Sequence, residues 1–426
     1  MSNDQPGRDT NGGVPAVEFG AKILDMAREL AQFSETADGL TCTYLSSAHK
    51  ASAARLLDWM RSAGLAAEID AVGNVVGRYA GAANASRTLM VGSHYDTVTN
   101  AGQFDGRLGI LIALAVAGHL HCTGRRLPFH LEVIGFSEEE GVRFSAPYLG
   151  SSAIAGSFDE TVLDRHDANG VSLATLLREE GVDVTAIRKL ARRPETLRGY
   201  LEVHIEQGPV LLQNDLPVGI VTSIAASARF RVTIRGVVGH AGTVPMSLRH
   251  DAAAAAAEIV LAVERRCAEG PNLVGTVGQL VVPHGIINVI PGYCELSLDI
   301  RAGDDASHAA AIADILAAIC QIAERRGVIA EVAKIAHHAA VSCAPQIQSA
   351  LARAVSRNGI EPFYLGSGAG HDGEMFAGVT DIGMLFVRCG NGGISHSPRE
   401  TVTAADVDIA ARILLDAILN LDQPDL

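Results

Sequence analysis

Phe129-His130-Leu131-Glu132-Val133-Ile134-Gly135-Phe136 runs directly into Ser137-Glu138-Glu139-Glu140-Gly141. The first eight residues are a short, mostly apolar run of the kind that forms a strand buried on both faces. Three consecutive carboxylates follow at its end. They repel one another unless something positive sits among them, and a metal ion supplies that charge. A solvated acidic loop explains the same three residues if they are taken alone.

Outward from this stretch, apolar strand-like runs alternate with helical spacing. Thr88 to Val91 reads as a strand before His94, Gly109 to Leu120 as a buried helix, and Ile382 to Val387 as a strand upstream of His396. Helices are expected between Val17 and Ala63, including one over Ala51 to Ala63, and Ala404 to Leu419 reads as a closing helix. This alternation predicts an α/β fold with a mostly parallel sheet covered by helices on both faces. Sites in such sheets collect at the carboxyl ends of the strands.

The pattern changes near Ser223. Ala228 to Arg235 alternates apolar with polar residues, the alanine-rich run from Asp251 to Cys267 is a strong helix former, and strands are expected over Val274 to Val282 and Tyr293 to Arg301. A helix over His308 to Arg326 and a strand near Ile329 to Ala336 complete the order β-α-β-β-α-β of a ferredoxin-like unit. The chain is therefore read as a catalytic domain of residues 16–223 and 339–426, an inserted α+β domain of residues 224–338, and a flexible polar tail over residues 1–15. At 426 residues it exceeds what one core usually fills.

Its 48% hydrophobic and 19% charged residues are those of an ordinary globular protein. A net charge of -14 argues against nucleic acid or an anionic membrane as partner, since either normally needs a basic patch. The seven cysteines contain no Cys-x-x-Cys pair, which points to a reducing compartment, the cytoplasm, and away from a thiolate zinc site. The first fifteen residues lack the apolar core of a signal peptide. The longest apolar stretch, Ile110 to Ala117, is far short of a membrane span.

Four dispersed clusters carry the chemistry. Gly92-Ser93-His94-Tyr95-Asp96-Thr97 is followed by Asp105-Gly106, and Asp96 is the nearest carboxylate to accept the second N–H of a ligating His94. Asp105 has two oxygens with which to bridge two ions, although Asp-Gly is also a common turn. Leu201-Glu202-Val203-His204-Ile205-Glu206-Gln207-Gly208 puts Glu202, His204 and Glu206 on one strand face. His396, in Gly393-Ile394-Ser395-His396-Ser397-Pro398, completes the set. Each cluster is weak alone, but together His94, Asp105, Glu140, His204 and His396 can hold two divalent metals beside one base, Glu139.

These residues resemble the hydantoinase/carbamoylase branch of the dinuclear metallo-amidohydrolases related to aminoacylases and carboxypeptidases. The likeness runs through the motifs above and through Phe104-Asp105-Gly106, Glu139 to Phe144, Gly239 to Met246 and Gly368-Ala369-Gly370-His371-Asp372, in matching order and spacing. It implies that His94 and His204 hold one metal and Glu140 and His396 the other, with Asp105 shared and Glu139 as base and proton shuttle. It further implies that His240 steadies the scissile carbonyl from a partner subunit, so that a homodimer forms through residues 224–338. Asn288 and Arg301 would bind the substrate carboxylate and Gln207 the ureido group; His371 and Asp372 receive no role. The wording at His94-Tyr95-Asp96 and Asp105 to Gly109 is nearest to the allantoate amidohydrolase group, while N-carbamoyl-L-amino-acid hydrolases and β-ureidopropionases share almost every motif. Zinc or manganese suits these ligands best, with cobalt and nickel also acceptable.

Other functions fit less well. Gly366-Ser367-Gly368-Ala369-Gly370 suggests a nucleotide-dependent oxidoreductase, but it runs into His371-Asp372-Gly373 and meets no acid about twenty residues on, where that fold needs one. A non-catalytic binding protein would have lost Glu139 or a ligand. A dipeptidase or aminoacylase would be expected to have an acidic ligand where His204 stands.

Overall fold

The computed structural model describes residues 18–422; the expected tail over residues 1–15 lies outside them. A nine-stranded sheet forms the larger layer, in the order Ala66–Ile69, Val75–Tyr79, His130–Phe136, Thr88–His94, Leu197–Ile205, Ile382–Val387, Val218–Ile224 and Val341–Ser342, with Tyr364–Ser367 parallel to Val218–Ile224. The four central strands are mutually parallel and the flanking pairings at either side are antiparallel. Strands buried on both faces read as continuous apolar runs, which is why Thr88 to Val91, Phe129 to Phe136 and Ile382 to Val387 are legible as strands.

The two faces differ. Leu89, Val91, Leu131, Val133, Leu201, Val203, Leu385 and Val387 point into a core roofed by helices Gly20–Leu30, Ser47–Ser62, Arg107–Cys122, Pro345–Arg357 and Ala404–Leu419. The alternate residues Met90, Ile134, Phe136, Tyr200, Met384 and Phe386 face the other way, under the short helix Leu149–Ala155 and the 3-10 turn Asp372–Phe376. A pleat of period two puts His94, Glu202 and His204 on this thinly covered second face. Expectation and structure part here, since long helices cover one face only.

Helix Arg107–Cys122 begins at the site. It is apolar almost all round, as a fully buried helix must be, and Gly106 starts it at a φ of 65°. It lies so close to Leu197–Ile205 that a Cβ on Gly109 would sit 2.0 Å from the Val203 carbonyl oxygen. The buried guanidinium of Arg107 donates to the carbonyls of Tyr95 (3.0 Å) and Leu30 (3.1 Å), tying the loop after His94 to this helix.

A second, antiparallel sheet is ordered Leu280–Val281, Tyr293–Ala302, Ala226–Arg235 and Ile329–His338, and Leu273–Thr276 pairs with the far end of Tyr293–Ala302. The chain leaves the first sheet at Ala225 and returns over residues 339–340. Helices Ala252–Ala268 and Asp305–Arg326 pack on one face of this sheet around a core of their own. Asp251 and Asp304 cap these helices by accepting from backbone amides, satisfying first-turn donors that would otherwise be orphaned. The expected strand over Val274 to Val282 is broken in two. Between Thr276, opposite Asp299, and Leu280, opposite Leu296, four steps face three, which is a bulge.

Helix Asp305–Arg326 is long and apolar enough to match a membrane span by length and composition. Its Ala311, Ile315, Ile319 and Ile322 face is nevertheless spent on the second sheet's core. All seven cysteines are free thiols.

Gly109→Ala is expected to lower stability by about 1–3 kcal/mol, because the added methyl forces helix and strand apart. Gly118→Ala, whose Cβ meets nothing nearer than Ala63 at 3.4 Å, should be neutral or stabilising by virtue of helix propensity. Thermal denaturation compares the two, and an unshifted midpoint for Gly109→Ala contradicts this packing.

Candidate active site

The carboxyl ends of the four parallel strands deliver the site. His94 closes one strand, Glu138 to Glu140 follow another, and His204 and Gln207 lie at the end of a third. Glu138, Gln207 and His396 all adopt positive φ, at 51°, 56° and 53°. Non-glycine residues seldom do so, and such strain gathers at functional sites.

Asp105 is the hub. Its Oδ1 lies 3.3 Å from His204 Nε2 and 3.9 Å from His94 Nε2, and its Oδ2 lies 3.0 Å from His396 Nε2. Glu140 Oε1 stands 3.8 Å from His396 Nε2, and Glu139 Oε2 3.9 Å from His94 Nε2. Two groupings share Asp105: with His94 and His204 on one side, and with Glu140 and His396 on the other. The ligand atoms of each lie within 4.8 Å of one another, a nitrogen and oxygen donor set that fits a divalent cation. No sulfur joins either group.

Neighbouring groups hold this arrangement. Gly106 packs so tightly under His94 that a Cβ there would lie 2.4 Å from the imidazole. Glu400 accepts from the amides of Phe104 (2.7 Å) and Asp105 (3.1 Å) with one oxygen and from the Ser395 hydroxyl (2.9 Å) with the other, joining the Asp105 and His396 loops. Gln207 Nε2 donates to Asp105 (3.0 Å) and lies 3.2 Å from His396 Nε2.

Two expected contacts are replaced by others. The His94 Nδ1 partner is the main-chain carbonyl of Asp96 at 3.1 Å, with its carboxylate farther off at 3.7 Å. That carboxylate instead accepts from the amides of Glu139 (3.0 Å) and Glu140 (3.2 Å), so Asp96 sets the acidic loop. Glu206 lies beyond the strand and accepts from the amides of Val210 and Leu211, and so does not join Glu202 and His204. Glu202, in turn, stands behind the site, accepting from Tyr200, Ser93 and Gly373.

So many acids in one dry place shift each other. Burial, then Glu140, Asp372, Asp96 and Asp105, push the Glu139 carboxyl well above its usual range. Burial raises Glu140 to about 7 and Glu400 to about 7. Burial alone would depress His94, but the facing acids, Asp96 and Asp105 first, overcome it and lift it to about 9. The Asp105 hydrogen bond lifts His396 to about 9. Burial lowers His204 to about 4. Carboxyls forced toward protonation are what a bound cation relieves.

A cavity of about 520 Å³ opens at this cluster, its lining including His94, Asp105, Glu139, Glu140, Gln207 and His396. Arg301, Arg229, Ser227 and His338 come to it from the second sheet, and Tyr148 and Glu374 from the first domain's loops. The Arg301 guanidinium is held by Asp299 through Nε (2.9 Å) and Nη2 (3.0 Å) and reaches across to the Gly368 carbonyl through Nη1 (2.7 Å). Three of its five donors are engaged, leaving two for a ligand. His240 and Asn288 are absent from the lining. They sit together on a small exposed ribbon, where His240 pairs with Val289 and the Asn288 carbonyl accepts from Ala241.

Sequence reasoning missed Glu400, Tyr148, Glu374, Arg229 and His338. Glu400 follows His396 by four positions, and that proximity was the one signal available for it. His371 and Ser367, unassigned from sequence, form a 2.7 Å pair against the His204 ring.

Metal binding to this cluster requires unprotonated imidazoles. Because His94 and His396 are lifted to about 9, binding near neutral pH is expected to release protons, with affinity climbing as the pH is raised toward about 9. A histidine raised on folding stabilises the metal-free fold below its ordinary value of 6.5, and that contribution is lost by about 9. The increment by which metal raises the melting temperature should therefore grow across that window. Calorimetry in buffers of different protonation enthalpy reads the release, and zero net release contradicts the charge pattern.

Residues 90–420 match the sequence model of peptidase family M20/M25/M40. Allantoate deiminase 1 of Glycine max is 41% identical over 424 residues, covering 92% of this chain and 88% of its own. An N-carbamoyl-L-amino acid amidohydrolase of Geobacillus stearothermophilus is 38% identical, covering 95% and 99%. Among solved structures, a hydantoinase/carbamoylase family amidase from Burkholderia multivorans superposes with a TM-score of 0.90 at 31% identity, covering 97% of this chain and 100% of its own. The resemblance read from the motifs is thereby borne out, in fold as well as family.

Proposed function

The chain belongs to peptidase family M20/M25/M40, and we propose that within it the protein is an amidohydrolase cleaving the carbamoyl C–N bond of a small ureido carboxylate, allantoate first. The observation that carries this reading is Asp105, flanked by His94 and His204 on one oxygen and His396 on the other, in a cavity that Arg301 and Arg229 also line. The two groupings around Asp105 support two divalent ions per subunit, zinc or manganese before cobalt or nickel. The similarity to N-carbamoyl-L-amino acid amidohydrolases favours a second reading, in which the substrate is a carbamoyl amino acid. The free thiols support a cytoplasmic setting.

A ureido carbonyl is a poor electrophile because two nitrogens donate into it. Bound divalent ions would polarise its oxygen and lower the pKa of water from 15.7 toward about 7. Glu139, which lines the cavity with its Oε2 3.9 Å from His94 Nε2, would take a proton and return it to the departing nitrogen, a role worth roughly 10² to 10⁴ in rate. Gln207, its amide already oriented by Asp105, faces the ureido group. Arg301 grips the carboxylate with its remaining donors, which a lysine cannot imitate.

His240 and Asn288 require another explanation, since their own chain's cavity does not include them. Residues 224–338 are read as a lid and dimerisation domain that carries both into a partner's site. The exposed Val237, Val238, Met246, Leu248, Ile286 and Ile287 around them support a covered surface there.

Ammonia release from allantoate, N-carbamoyl-β-alanine and N-carbamoyl-L-amino acids tests the reaction, and no release from any of them contradicts it. Glu139→Gln should keep its metal and lose 10² to 10⁴ in turnover, as estimated for a lost proton shuttle. Mixing it with His240→Ala should restore about one active site in two per mixed dimer, by two-fold symmetry. Mixed dimers no more active than either parent contradict the exchange of His240.

A further inference from the structure

Glu374 lies on the 3-10 turn Asp372–Phe376, and nothing in the reaction above uses it. The turn is fixed by the Glu374 amide donating to the His371 carbonyl at 3.0 Å. From there the side chain joins the cavity wall beside Tyr148, whose hydroxyl lies 3.5 Å from Glu374 Oε1. Gly370 makes room for the pair. A Cβ at that position would lie 1.9 Å from the Tyr148 hydroxyl and 2.9 Å from Glu374 Oε1.

The cavity thus has three chemically distinct regions. The Asp105 cluster takes the scissile group. Arg301, Arg229 and His338 form a wall suited to an anion, Asp299 being bound between the two arginines. Glu374 is an acid in the same lining, within reach of the Arg301 field but not hydrogen-bonded to that guanidinium, whose engaged donors go to Asp299 and Gly368. Burial pushes its carboxyl up to about 7. A half-buried acceptor of this kind is costly to cover with substrate unless a donor meets it. The long Tyr148 hydrogen bond engages only Oε1, so a hydrocarbon side chain would leave the remaining acceptor capacity unused, whereas an N–H-bearing group would fill it.

We propose that Glu374 is a specificity residue, accepting hydrogen bonds from a second nitrogen-bearing group of the substrate, distal to the scissile ureido. This rests on the amidohydrolase reading and narrows it. Substrates with a carboxylate, a scissile ureido and a further ureido, amide or amino group are selected over carbamoyl amino acids with apolar side chains. Sites built to hydrogen-bond a polar group reject analogues lacking it far more strongly than apolar pockets discriminate by size.

Steady-state kinetics of metal-loaded enzyme on allantoate, N-carbamoyl-L-asparagine and N-carbamoyl-L-leucine test this. Wild type should prefer the first two. Glu374→Met should lower the ratio of their kcat/KM to that of N-carbamoyl-L-leucine by about 10- to 100-fold, chiefly through KM, as expected for loss of a hydrogen bond to a charged group. Glu374→Gln, which keeps one acceptor, should fall between. If all three substrates decline in parallel in both variants, or if wild type already prefers the leucine compound, the assignment of Glu374 is overturned while the hydrolase reading stands. If wild type cleaves none of the three or any other ureido compound, both fall together.

Discussion

Burying the Asp105 carboxylate at the carboxyl ends of four parallel strands, against three imidazoles, is the constraint that organises the molecule. An ionised carboxylate in a dry interior is tolerated only when paired and hydrogen-bonded. Its partners arrive from three separate places in the chain: His94 from one strand, His204 from another, and His396 from a loop nearly three hundred residues away in sequence. The sheet brings the first two together; the Glu400 carboxylate, bonded to the Asp105 amide and to Ser395, brings the third. Gly106 is required because the imidazole occupies the space a side chain would need.

The acids around this hub are poorly matched by positive side chains of the protein. Glu139, Glu140, Glu202 and Glu400 are all pushed upward, burial first, and the imidazoles facing them are too few to neutralise the set. Such a site is assembled at a cost in folding free energy and is relieved by cations. Positive side chains of the cavity, Arg301 and Arg229, come instead from the second sheet. The lining therefore carries both an acidic cluster and two arginines.

What could be read from the chain followed from periodicity. The apolar runs at Phe129 to Phe136 and Ile382 to Val387 are buried on both faces and carry that fact openly, and Ala404 to Leu419 reads as a helix from its spacing. The candidate ligand residues sit within or beyond such runs, each weak alone and telling only as a set in order and spacing. Glu400, Tyr148 and Glu374 were not, since each is a single polar residue in an irregular segment whose partner is remote. Asp96 was placed correctly near His94, but the carbonyl and the carboxylate of one residue cannot be told apart by spacing. The break in Val274 to Val282 follows from a register slip against Tyr293–Ala302, a property of two strands that neither displays alone.

Anomalous X-ray diffraction from crystals grown with zinc or manganese tests the central claim most directly. Two anomalous peaks per subunit are predicted, one bounded by His94, His204 and Asp105 and the other by Asp105, Glu140 and His396. A single peak, or peaks seated instead among Glu202, His204 and His371, would contradict the shared role of Asp105.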